Sequence, residues 1–151
     1  MPEHVFTIIA LGHAIDTQTN GVTLFSIVEE IGWPSLPVAV PSLSIVTLWR
    51  RLDGEEGVAF VQRTRLVDPS GEEIFHQDQS FRMERQRHRN LGMIQMVPFQ
   101  AYGCHRLEIQ LRKEDEQSFA FVFRYPLDVN LIKEPTNSLF DQAGPPVSSA
   151  P

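Results

Sequence analysis

Cysteine is almost missing from this chain: Cys104 stands alone among 151 residues, so no internal disulfide can form and nothing calls for an oxidising compartment. A reducing cytoplasm is the expected location. Long apolar runs are missing too, and none approaches the ~20 residues that a bilayer-spanning helix requires. The N-terminus carries the acidic Glu3 and shows neither a basic leader nor a small-residue cleavage pattern, so neither a signal peptide nor membrane attachment is expected. Basic side chains are outnumbered, 13 against 19, and the net charge of -6 disfavours a general role on nucleic acid or anionic lipid. There is no P-loop, dinucleotide fingerprint, nucleophile elbow or His-Glu-x-x-His. His4, His13, His76, His88 and His105 are scattered without metal-ligand spacing, so neither a zinc site nor any cofactor is expected.

What is present is alternation. Val97 to Val129 reads as two arms of period two around a charged connector, the pattern of an antiparallel hairpin. His105, Leu107, Ile109 and Leu111 share one face of the first arm. Phe119, Phe121, Phe123 and Tyr125 share a face of the second, and this aromatic row is expected to be the core wall. Val5 to Ile15 suits a strand buried on both faces, Asn20-Gly21 a reversal, and Val22 to Ile31 the paired strand. Three prolines between Gly32 and Pro41 exclude a central strand there and predict a connection. Ser42 to Leu52 and Val58 to Val67 form a second hairpin, Asp68-Pro69-Ser70-Gly71 a type I turn, and Glu72 to Glu84 a polar edge strand. Arg85 to Asn90 breaks the pattern and reads as a loop.

These elements predict an all-β fold, a two-sheet antiparallel β-sandwich of about eight strands, immunoglobulin-like or C2-like. The domain is expected over residues 1 to 134, followed by a flexible Pro/Ser-rich tail over 135 to 151.

The same stretches resemble a family of small bacterial proteins known only as a domain of unknown function. The likeness lies in the strand closed by Asp16 to Gly21, Val22 to Glu30, and the proline-bearing link into Leu43 to Trp49. It continues through Asp68-Pro-Ser-Gly71, Asn90-Leu91, Pro98-Phe99 and Gly103-x-His105-x-Leu107-x-Ile109 to Tyr125-Pro-Leu-x-Val129. The resemblance spans residues 5 to 129, implies a bacterial β-sandwich and brings no catalytic residues. This chain carries His105 where the family commonly has an aromatic such as Tyr.

Candidate sites are few. Cys104 beside His105 has the composition of a nucleophile and base, but neighbours on a strand point to opposite faces, so catalysis is not expected. Asp16, Asp53, Glu55, Glu56 and Asp68 fall in loops without an Asp-x-Asp pair, which fits turn residues bonding their own backbone better than a calcium site. Arg82, Arg85, Arg87 and Arg89 form the one basic cluster, suited to an acidic partner or, less readily, to nucleic acid. Trp33, in the proline-rich link, is the candidate exposed anchor, whereas Trp49 belongs in the core. Leu139-Phe140 is an apolar pair in the polar tail, the form of a docking peptide. The reading is therefore a non-catalytic protein-interaction or self-assembly module. A small-molecule or ion-binding module with hydrolytic activity, using the loop carboxylates and His105, is the alternative, and accessory nucleic-acid contact through the Arg82 to Arg89 loop is the second.

Overall fold

The computed structural model describes residues 1–133, which form nine strands and no helix. The strands are β1 (Glu3–Ile15), β2 (Val22–Ile27), β3 (Glu30–Trp33), β4 (Val38–Arg50), β5 (Ala59–Val67), β6 (Glu73–Arg82), β7 (Arg87–Phe99), β8 (Gly103–Lys113) and β9 (Ala120–Leu131). Four of them make one sheet in the order β2-β1-β4-β7, and five make a second in the order β3-β9-β8-β5-β6, which curls into a half-barrel. Every pairing is antiparallel except that of β3 with β9.

Inward positions follow the period of two. Ile9, Leu43, Ile45 and Trp49 from the four-stranded sheet meet Phe60, Leu66, Leu107, Ile109, Leu111, Leu127 and Val129 from the other in one apolar cluster. The turns do what their residues favour. Asp68 accepts the Gly71 amide at 3.1 Å, and Gly71 takes a φ of 97°, which a side chain would resist. At the β1–β2 reversal, Asn20 supplies the left-handed residue, with a φ of 56°.

One polar chain crosses the core. Gln62 on β5 is 3% exposed, and its carbonyl oxygen accepts Trp49 Nε1 at 2.8 Å and Asn90 Nδ2 at 2.9 Å, both from the opposite sheet. Its amide nitrogen donates to Thr64 Oγ1 at 3.2 Å and reaches Thr47 Oγ1 at 3.5 Å. Thr47 in turn bonds Thr7, which bonds His4, and His88 closes on Asn90. Buried polar groups are tolerated where each has a partner, and here one carboxamide serves both sheets.

Four expectations change. The strand predicted over Val22 to Ile31 is two strands in different sheets: pairing with β1 runs past the left-handed Ser26 to Ile27, the Val28 amide closes on Ile9 O, and β3 starts at Glu30 beside β9. Pro41 lies within β4, an inner strand, yet at a point where β4 has a neighbour on one side only. The last β1–β4 pair is Ala10 with Ser44, and Met96, left-handed at φ 52°, leaves Pro41 without a partner on β7. Arg87 to Asn90 is not loop but the first part of β7, paired to Arg50 through Thr47. The aromatic row of β9 is not the core wall. A register shift between Ile109 and Gln110 puts Phe123 opposite Ile109 but Phe121 opposite Gln110, so Phe121 turns outward, 56% exposed, near the Arg124 guanidinium. Phe119 precedes the strand and lies under Arg63 and Arg112. The wall is built instead by β8, on the His105 face.

Replacing Gln62 by Leu strands the Trp49 and Asn90 donors in the core, where each unsatisfied buried group costs about 1–3 kcal/mol. Urea unfolding followed by near-ultraviolet circular dichroism is expected to show a loss of roughly 3 kcal/mol for Gln62→Leu, against well under 1 kcal/mol for the exposed control Gln95→Leu.

Candidate interaction site

The two sheets part where the chain passes from one to the other. β2 ends at Ile27, the Val28 amide donates to Ile9 O at 2.9 Å, and β3 then pairs in parallel with β9. Two of its four side chains, Ile31 and Trp33, share a face. They line an apolar groove of about 290 Å³ together with Leu11, Ile27, Val28 and Val40. Trp33 is 45% exposed, and Leu11 and Ile27 are also exposed. Beside it, Tyr102 donates its hydroxyl to Trp33 O at 3.4 Å and the Ile132 amide donates to the same oxygen at 3.3 Å. Cross-strand register places Ile27, Ala10, Ser44 and Met93 in one row, of which Ile27 and Met93 are exposed while Ala10 and Ser44 are buried. Among the described residues β3 is the last strand of its sheet, and no strand there lies beside its outer backbone edge.

The other faces differ in character. The outward side of the five-stranded sheet is charged: Arg63 holds Asp78 through two bonds of 2.7 and 2.8 Å, Arg65 holds Glu73, and Glu108 is shared by Arg65 and Arg124. Such a surface is made for water, and exposed pairs of this kind add little stability.

The predicted arginines are brought together. Arg82, Arg85 and Arg87 border one shallow depression with Asn20 and His88, and Arg89 reaches the same turn by donating to Asn20 O at 2.7 Å. Arg82 donates to Gly57 O, and Glu84 borders the same depression. Leu139 and Phe140 lie outside the described residues.

Cys104 and His105 part as expected. Cys104 is exposed, and its thiol is held above its ordinary pKa by desolvation and then by the Asp128 carboxylate, so the thiolate is disfavoured. His105 is fully buried on the opposite face against the edge of Phe99. Its Nδ1 lies 3.3 Å from Gly103 O, and Nε2 has no partner among the described residues. It backs a polar depression of about 260 Å³ bordered by Asp68, Glu72 and Glu73. Of the loop carboxylates, Asp68 spends Oδ1 on Ser70 and the Glu72 amide, and Asp16 spends its oxygens on Gln18 and Thr19. No group of three metal-binding side chains occurs among the described residues, and no helix there is long and apolar enough to cross a membrane.

Leu11 and Ile27 are the groove residues that sequence reasoning missed, since both sit in apolar runs that read as core. The signal available was Gly12 after Leu11, which thins the strand at that point, and the weak alternation before Glu29-Glu30.

These features define an all-β, two-sheet domain with a charged outer face on one sheet and an apolar groove at the crossing between the two. The chain belongs to the family of unknown function DUF6941, whose pattern matches residues 7–124, a span that takes in Leu11, Ile27, Trp33 and the four arginines. No curated protein matches it.

Burial holds the His105 and His88 rings below their ordinary pKa of 6.5, with Gly103 and Asn90 opposing the shift in part. The unfolded chain protonates these rings near 6.5 while the folded one keeps them neutral, so their contribution to stability is complete above pH 6.5 and is lost as pH falls below it. Asp78, lowered chiefly by its bond from Arg63, contributes above 3.8 and loses that contribution further down. Thermal melts across pH 8 to 3 are expected to show two successive declines, the first beginning near 6.5 and the second near 3.8. A stability independent of pH down to 4 contradicts the first.

Proposed function

We propose that this protein is a non-catalytic interaction module that binds an extended apolar segment of another protein, or of a second copy, in the Trp33 groove. The observation that supports this is the conjunction of an exposed Trp, an apolar groove and an uncovered strand edge in one place. A strand edge offers backbone hydrogen bonds to an incoming chain, and the groove beside it takes alternate side chains and so supplies selectivity. At about 290 Å³ the groove lies at the lower limit of the ~300–1,000 Å³ typical of small-molecule sites, which favours one or two side chains as occupant. The arginine cluster, a shallow polar depression bordered also by Glu84, ranks second as a contact surface. On this reading the fold is an immunoglobulin-like or C2-like β-sandwich working in a bacterial cytoplasm.

Buried Trp anchors are worth about 2 kcal/mol or more in an interface, roughly thirtyfold in affinity. Capture of partners from a cell extract, with mass in solution measured in parallel, is expected to weaken by that order for Trp33→Ala and for Ile27→Ser, with folding retained. An Arg85/Arg87/Arg89→Ala triple variant is expected to keep most of the binding. Loss confined to the arginine variant, or a monomer that captures nothing, contradicts the proposal.

A further inference from the structure

We infer that the depression backed by His105 binds a primary ammonium group carried on a short carbon chain. It lies apart from the Trp33 groove, where the turn between β5 and β6 meets the connection between β7 and β8. Asp68, Glu72 and Glu73 border it on one side, Pro98, Gln100 and Ala101 on the other, and its 260 Å³ holds roughly eight waters' worth of liquid volume.

The observation that carries the inference is a buried nitrogen with nothing to bond. His105 is 0% exposed on the inner face of β8, and its ring lines the depression. Nδ1 lies 3.3 Å from Gly103 O, an oxygen that only accepts, so Nδ1 carries the ring hydrogen. Burial lowers the pKa of the ring and keeps it neutral, which leaves Nε2 a bare acceptor, without a partner among the described residues. Such a group is costly to leave unpaired, and a bound donor accounts for its persistence.

The surroundings select the donor. Val67 pairs with Arg106 at the end of the β5–β8 ladder, which brings Asp68 beside His105. Asp68 gives Oδ1 to Ser70 and to the Glu72 amide, and neither takes Oδ2. Glu72 adds an exposed carboxylate, whereas Glu73 is already held by Arg65 and His76. Arg106 alternates to the outer face, and no Lys or Arg lines the depression. The site therefore offers acceptors and negative charge, and no three of its groups are placed to hold a metal ion. An ammonium is the complement, a compact positive charge with three donors, and Ile74 and Pro98 give its carbon chain an apolar wall. A free small amine and a lysine side chain share this chemistry.

The test titrates n-propylammonium into the full chain near neutral pH, read by nitrogen-15 spectra of the histidine rings and by thermal melts. A saturable shift of His105 Nε2 is expected, with a rise in melting point from binding to the folded state alone. The uncharged n-propanol, and tetramethylammonium, which has charge but no N–H, are expected to do neither. Asp68→Asn keeps the turn acceptor Oδ1 and removes the charge, and it is expected to weaken binding about tenfold, the scale of one charge-assisted hydrogen bond. His105→Phe is expected to abolish binding without lowering the melting point of the free protein, because no bond of Nε2 is lost. The absence of a saturable shift, an equal response to either control, or full binding by Asp68→Asn overturns the inference. A capped Gly-Lys-Gly peptide that binds more tightly than n-propylammonium assigns the site to a lysine side chain, and one that binds more weakly assigns it to a free amine. None of these readings depends on Trp33.

Discussion

The carboxamide of Gln62 is the point at which the two sheets are held in one relation to each other. Apolar contacts alone allow two curved sheets to slide or rotate, because they reward area without direction. A side chain that accepts from Trp49 and Asn90 across the core and donates to Thr47 and Thr64 allows one alignment only. Displacing either sheet leaves buried donors without acceptors, at a cost comparable to a sizeable part of a domain's net stability. His4, Thr7 and His88 extend the network toward the surface, so that three strands of one sheet are tied to β5 of the other.

Holding one region tightly leaves another free to part. Beyond Ser44 the four-stranded sheet loses the β1–β4 pairing, the chain leaves that sheet after Val28, and β3 joins the other sheet as a short parallel edge. The groove is what remains between these elements. Its apolar lining follows from composition: Leu11, Ile27 and Val40 come from strands patterned for a core that does not extend this far. A folding constraint at Gln62 and an apolar groove at Trp33 are thus two consequences of one architecture.

Much of this was legible in the residues. Alternation located most strands, Asp68 to Gly71 gave its turn, β6 was read as a sheet edge, and the two tryptophans were separated correctly into Trp49 inside and Trp33 outside. The failures come from local backbone events that leave no mark in the hydrophobic pattern, and one of them, beside Ile109, is a register shift. The irregularity beside Ile109 turned Phe121 to solvent, the chain changed sheets between Ile27 and Glu30 inside one apparent strand, and Pro41, opposite the left-handed Met96, sits in β4 without a ladder partner. A one-residue slip reverses every side chain beyond it, and neither local preference nor composition reports it. The groove was illegible for the same reason, as it depends on where pairing stops. The cross-core network was equally hidden, because Gln62 reads as an outward polar residue until its partners are known.

Native-state hydrogen exchange tests the contrast between a locked region and an open one most directly. The account predicts that the amides of Gln62 and Thr47 exchange only through global unfolding, while those of Ile31 and Trp33 exchange through a local opening of lower free energy. Protection of Ile31 and Trp33 equal to that of Gln62, or exchange at Gln62 by local opening, would contradict it.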